Sequence, residues 1–459
     1  MSTTQRPSSA LRKNMRLSIV EGIVAMPLVF FTMPGNFMAA TLATDVLNIT
    51  ENIYGIIASL PAWCNIIQLF AMPYMTGHAS QKNICLAASW IHVACWTLLA
   101  FALPYIPKDE SSAAIALMLV FFGASNFAFA IINISWTSWI QEWLPQKSRG
   151  KYLGRRNRIL QIATVAFLIT ASQTIKSFNQ NDLTQAFQWI IGGGVILRIV
   201  SIILQQRIFS PDKSALEQSG NLFSKIGIIY RKKNLFRFIL FGGAFGLTAS
   251  FMGPFFPIFM SKALLMTPTQ IGYAVMIATV TGALAMPYWG KLSDEHGSRP
   301  VLIIALSIWM INGYLWYFCT PATHWVVYAI WATGGVFGSG FIFASFSLLL
   351  KLVPDEAKTA AISLNMAFTS LAGALSPVAG GYVIEWAERR YSDFLTVFHH
   401  LSAIHHTLIL LTVLILFTVD EPKSSTIRQA VGSMRALRQA GAALGLSYLI
   451  NYSFFKKKK

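Results

Sequence analysis

Polar side chains that could do chemistry are few in this sequence, and most lie inside long apolar stretches. In hydrocarbon an unpaired polar or charged group is costly, so each one marks either a solute contact or a bond to a neighbouring helix. Asn126, Asn133 and Thr137 recur at i, i+7 and i+11, which puts them on one helical face with Trp136 beside them. Asn36 follows the breaker pair Pro34-Gly35, and Asn65, Gln68, Gln161, Ser250, Asn312 and Asn365 stand singly in other apolar runs. Amides interleaved with aromatic rings (Trp136, Phe251, Phe337) suit a small organic solute held by hydrogen bonds and stacking. The same amides equally suit interhelical hydrogen bonds. Two charges lie in such runs in the first half of the chain. Glu21 is the sole acid there and a candidate proton-coupling group, the other reading being a surface or headgroup pair. Arg198 is a candidate for an anionic group, or else snorkels or pairs internally. His92 is expected as a satisfied core histidine. His399, His400, His405 and His406 lack the i, i+4 spacing of a helical metal site, and neither a phosphate-binding loop nor a nucleophile–base set occurs. No enzyme activity, metal or cofactor is therefore expected.

The elements that hold these residues follow from composition. Of 459 residues 54% are hydrophobic and 12% charged, and mean hydropathy is +0.54. Twelve stretches of about 20 apolar residues, the length that crosses a bilayer, lie near 17–40, 53–73, 83–104, 112–138, 157–175, 184–205, 235–259, 268–288, 300–319, 323–349, 359–384 and 400–419. Continuously apolar runs exclude the alternation of a barrel, so these are helices. The fold class is an all-α polytopic membrane protein.

The net charge of +18 could suggest nucleic acid, but 30 of the 36 Lys and Arg fall in even-numbered connections or the tails if the N-terminus is inside. That is the positive-inside pattern, with both termini cytoplasmic. It points to the lipid bilayer as partner and away from nucleic acid. The four cysteines have no paired spacing and read as free buried thiols.

The spans fall into six and six. The domain reading is a cytoplasmic tail 1–16, a bundle 17–205, a hydrophilic linker 206–234, a second bundle 235–419 and a basic tail 420–459 with helical spacing of its apolar residues. Two echoes support a duplication. Ala-Met-Pro-Tyr occurs at 71–74 and 285–288, and Glu142-Trp-Leu-Pro145 answers Lys351-Leu-Val-Pro354, at offsets of 214 and 209 residues. Related halves rocking about a midplane site are how alternating-access carriers are built.

Between spans eight and nine stands Gly290-x-Leu292-x-Asp294-x-x-Gly297-x-Arg299. With the six-plus-six division and the basic Arg149-Gly150…Arg155-Arg156 stretch after span four, the chain resembles the major facilitator superfamily over its whole length. The glycines are read as a tight turn. The resemblance implies two pseudo-symmetric six-helix bundles around a central cavity lined mainly by spans one, four, seven and ten. It also implies a cytoplasmic latch in which Asp294 and Arg299, with Gly290, Gly297 and Arg149, hold one conformation through a neighbouring helix N-terminus. The first-half counterpart, PYMTGHASQKN (73–83), keeps Gly77 but lacks the aspartate and the Gly-x-Arg.

The expected function is a secondary active or facilitative transporter of a small organic solute in the plasma (bacterial inner) membrane, a monomer, with a proton or other ion as possible coupling partner. Uptake of a sugar or related metabolite is preferred over export. The alternatives are a transport-inactive sensor or interaction protein on the same fold, or a drug or lipid exporter. Helix five lacks the Gly-Pro motif common in the superfamily's drug antiporters, which counts against export.

Overall fold

The computed structural model describes residues 9–33, 35–106, 112–178, 182–210, 231–353, 358–391, 393–422 and 424–433, with side chains 68–78, 146–151, 358–360 and 363 left aside. Residues 211–230 of the linker in the sequence reading and most of the basic tail therefore lie outside the described residues.

The long helices are α1 (Ser9–Thr32), α2 (Glu51–His78), α3 (Gln81–Ala102), α4 (Ser112–Trp143), α5 (Gln146–Ser177), α6 (Leu183–Gln206), α7 (Lys233–Met252), α8 (Pro268–His296), α9 (Ser298–Gly313), α10 (Val326–Leu352), α11 (Lys358–Arg390) and α12 (Phe394–Phe417). No strand occurs among the described residues. Among the described residues eleven helices are long and apolar enough to cross a membrane; the 28-residue α2 overlies the remaining expected span. With no water in the bilayer core, a helix satisfies its backbone internally, and this is why apolar runs of such length fold this way.

Ends and breaks are written locally. Thr267 and Gln270 form a capping box ahead of Pro268, which starts α8. Asp393 accepts from the Leu395 and Thr396 amides at the start of α12, and these bonds with the Thr396 hydroxyl hold its carboxyl below the usual range. After α1 the chain breaks at Gly35 (φ +65°) and resumes as a short helix, Phe37–Thr41.

The packing is twofold in pattern. In the first half α1 packs on α6 and α5, α4 on α3 and α2, and α3 on α6. Adding six to each number gives the pairs of the second half: α7 with α12 and α11, α10 with α9 and α8, α9 with α12. Two seams join the halves, α2 with α11 and α5 with α8, and these also exchange under the same operation. The structure thus carries the duplication that two short sequence echoes suggested.

Candidate functional site

Because successive helices reverse direction, the starts of α1 and α7 and the ends of α6 and α12 share one side, here called the termini side. On the opposite side the halves are tied together. Ser261 donates to Asp45 Oδ2 (3.1 Å), Lys262 pairs with the buried Glu51, Thr269 donates to the Ser172 carbonyl (3.1 Å) and Gln173 to the Tyr273 hydroxyl (3.1 Å). The rings of Tyr54 and Phe255 meet edge-on at 5.6 Å. One apolar cluster runs through both halves there, including Phe37, Tyr54, Phe255, Phe259 and Ile271. On the termini side the clusters are separate, one built from the second half alone and two smaller ones from the first. Among the described residues, every hydrogen bond and ion pair on that side stays within one half.

The first half holds a buried charge cluster. Glu21 (α1) is 2% exposed and faces two cations, Arg156 Nη2 (α5) at 3.4 Å from Oε2 and Arg198 Nη1 (α6) at 3.9 Å from Oε1, while Gln205 donates to Oε1. Arg198 also donates to Ser89 and Ser201, both at 3.1 Å, so of the sequence alternatives it is the internal pairing that holds. Arg156 donates from Nε to the Ser18 carbonyl (3.2 Å) and lies 4.1 Å over the Trp136 ring. Glu21 is therefore neither a surface group nor a headgroup contact.

The amides divide. Asn133 is exposed on α4, one turn before Trp136 and Thr137, and these three with Arg156 form one patch. Asn126, lower on the same stripe, is buried and donates to the Phe122 carbonyl of its own helix (2.8 Å). Asn36 must be corrected: its amide donates to the Phe31 and Met33 carbonyls (2.9 and 2.7 Å) and accepts from the Ala39 amide (2.8 Å). It repairs the backbone that the break exposes, which uses up both ends of the side chain. Asn65 and Gln161 are half-buried, and Gln68's side chain lies outside the described residues. In the second half Ser250 and Asn365 both lie on the α7–α11 seam, against Gly373 and Gly242 respectively, and Asn365 Oδ1 has no hydrogen-bond partner among the described residues. Phe337 stands apart, its ring tilted 56° against that of Trp289 at 5.8 Å. Asn312 donates to the Ile330 carbonyl (3.3 Å), an interhelical bond. His92 also departs from expectation, since it is fully buried and neither ring nitrogen has a partner among the described residues.

Sequence reasoning passed over Arg156 because it placed the residue in a basic loop. The signal that was available is Pro145, which ends the connection and caps α5, so that Tyr152 and Arg156 fall at i, i+4 on one inward face.

The description Major Facilitator Superfamily belongs to the sequence family that matches residues 238–456. The fold agrees: a bacterial homologue of the human lysosomal transporter Spinster, in an inward-facing and occupied conformation, superposes with TM-score 0.67 at 12% identity, covering 90% of this chain and 97% of its own. Over residues 238–456 this chain thus matches the major facilitator superfamily, and over most of its length it shares the fold of transporters of solved structure. The nucleoside transporter NupG superposes with TM-score 0.62 at 14% identity over 90% of this chain and 99% of that one. Among curated sequences, the multi-drug resistance efflux pump PmrA of Streptococcus pneumoniae is 30% identical over 146 residues, and the uncharacterized MFS-type transporter YqjV of Bacillus subtilis 26% over 147. Each match spans 35% of the relative's length and about a third of this chain.

The superfamily signature is placed differently from the tight turn expected of it. Gly290, Leu292 and Asp294 belong to α8, where Gly290 packs against Phe343. Only Gly297 turns, at φ +92°, ψ 158°. Arg299 donates to the Leu416 and Phe417 carbonyls at the end of α12 (3.1 and 2.9 Å). The carboxylate at a helix N-terminus is Glu421, which accepts from the Ser298 and Arg299 amides (3.0 and 2.7 Å) and from Lys351 (2.8 Å). Asp294 is exposed and has no bond to another described residue. The side chain of Arg149 lies outside the described residues.

Proposed function

We propose that this chain is a secondary carrier that moves a small organic solute by alternating access, with the termini in the cytoplasm and the conformation seen here open to that side. One observation carries the reading: among the described residues, the hydrogen bonds, the ion pair and the apolar core that join the halves lie on the side opposite the termini. Related halves tied at one end only are the geometry of a rocking carrier. Asp294 then serves the alternate state. It lies in the last turn of α8, the helix seamed to α5. Glu21 is the coupling candidate on the same reading. The preference for sugar uptake finds no support among the relatives, which include a protein named as a drug efflux pump and a nucleoside transporter. Drug export is the second reading, on the strength of the relative named PmrA.

The test is flux in proteoliposomes with radiolabelled glucose, uridine, tetraphenylphosphonium and benzoate, with and without a pH gradient. An Asp45→Cys/Ser261→Cys pair, oxidised across the 3.1 Å contact, is expected to abolish flux until reduced. Undiminished flux through the cross-linked protein defeats alternating access.

A further inference from the structure

The cluster around Glu21 is not electrically balanced. Two guanidinium groups, Arg156 and Arg198, face one carboxylate, and among the described residues no other acid pairs with either of them. A net positive charge buried in an apolar bundle is unfavourable unless a counter-ion reaches it. The two cations differ in access. Arg198 is fully enclosed by α1, α3 and α6, with its side chain 2% exposed. The Arg156 side chain is 11% exposed and sits in the patch with Trp136 and the exposed Asn133 and Thr137.

Its orientation is fixed from every direction. The guanidinium carbon lies 4.1 Å from the centre of the Trp136 ring, the Ser18 carbonyl takes Nε and Glu21 takes Nη2. On α1, Gly22 leaves the room, because a Cβ there would stand 2.6 Å from Arg156 Nη2. Among these bonds none uses Nη1. A guanidinium placed over an aromatic ring, with Nε and Nη2 committed to protein and Nη1 outside these bonds, is suited to bind a carboxylate.

We propose that Arg156 is the anion-binding group of the carrier, so that the solute bears a carboxylate, and that Glu21 competes with the solute for the same guanidinium. This rests on the carrier reading and names its substrate class. Arg198, whose side chain is enclosed, holds Glu21 in place and is a positioning residue. The stripe of Asn133 and Thr137 supplies neutral hydrogen bonds alongside.

The test is equilibrium binding of radiolabelled benzoate to the full chain in neutral-lipid nanodiscs at low ionic strength, with benzamide as the uncharged competitor. Saturable binding displaced by benzoate and not by benzamide is expected. Arg156→Gln should weaken it at least tenfold, and Glu21→Gln, which removes the competitor, should strengthen it about tenfold. Should Arg156→Gln fail to fold, the Glu21→Gln/Arg156→Gln double variant removes both charges together and is expected to elute as a folded protein without benzoate binding. Absence of benzoate binding to the native chain, or binding that survives in the double variant, overturns the proposal. Benzoate bound but never carried into proteoliposomes leaves the anion site standing and defeats the carrier reading. Flux of glucose, uridine or tetraphenylphosphonium with no benzoate binding does the reverse.

Discussion

The two turns on the termini side, α2–α3 in the first half and α8–α9 in the second, occupy equivalent places in the duplicated fold and are held by equivalent bonds between different residues. Arg299 donates to the last carbonyls of α12, at Leu416 and Phe417. In the first half, where the sequence lacks the signature's arginine, Lys82 donates to the Gln206 and Ile208 carbonyls at the end of α6 (2.9 and 2.8 Å). Asn14 binds the Phe209 backbone as Asn234 accepts from the Asp420 amide. A third pair is inverted: Ser210, after α6, donates to Glu142 at the end of α4, whereas after α12 Glu421 accepts from Lys351 at the end of α10. The contact positions survive the duplication while donor and acceptor exchange. What the second half adds is a carboxylate on a helix N-terminus and a glycine that brings it there.

The largest expected break in this comparison is Gly297→Ala. The backbone at φ +92°, ψ 158° is a region that glycine alone occupies readily, and a Cβ would stand 2.7 Å from Ser424 and 2.9 Å from Glu421. Strain of about 1–3 kcal/mol comes together with loss of the Glu421 contact, so thermal unfolding in detergent should shift strongly downward. The first-half counterpart needs no such backbone, since among the described residues only Asn48, Leu265, Gly35 and Gly297 have positive φ. At the counterpart position Ser80→Gly should cost only about a few tenths of a kcal/mol. Equal effects at the two turns would show that the carboxylate-bound turn is not special.

Glu421→Gln comes next. Its carboxylate is 4% exposed and takes two backbone amides and Lys351, whose own side chain is 48% exposed. The amide bonds carry most of the effect, and a loss of about 1.5–3 kcal/mol is expected for charge-assisted bonds of this kind. At the equivalent turn Ser80 caps α3 through the Asn83 amide at 3.3 Å, and Ser80→Ala should cost about 1 kcal/mol. Denaturation midpoints that rank these two in the opposite order would refute the asymmetry.

The fold was legible in the sequence because its signal is long-range and cheap: apolar runs of bilayer length, the charge bias of the connections and two echoes at nearly one offset. The echo of Glu142-Trp-Leu-Pro145 with Lys351-Leu-Val-Pro354 even aligns the two residues that make the inverted contact. The candidate site was legible only in part. Asn133 and Trp136 kept their shared patch, but Asn36 was spent on a break whose freed carbonyls sequence alone does not assign to a donor. Arg156 and Glu421 were missed for one reason. Each acts through a partner more than 100 residues away, and a cation in a basic stretch or an acid after the last span looks solvated until its partner is in view. Lys82 was missed because its role was sought as a motif, and backbone carbonyls at a helix end accept from any cation that reaches them.

That last point gives the finest test. If Lys82 and Arg299 do the same work, the two cations should be interchangeable. Each lies near the surface and contributes through hydrogen bonds to the last carbonyls of a helix, where a favourably placed cation is worth about 0.3–1 kcal/mol. Arg299→Lys and Lys82→Arg should therefore each shift the unfolding midpoint very little, whereas Arg299→Ala and Lys82→Ala should each lose roughly that amount. Arg299 donates from two different nitrogens to two carbonyls, and Lys82 reaches two carbonyls from one ammonium. A lysine at 299 reproduces the bonds if the carbonyls of Leu416 and Phe417 converge as those of Gln206 and Ile208 do. Arg299→Lys falling as far as Arg299→Ala would mean that the two ends differ in shape, and that the first half lost the arginine's function with the arginine.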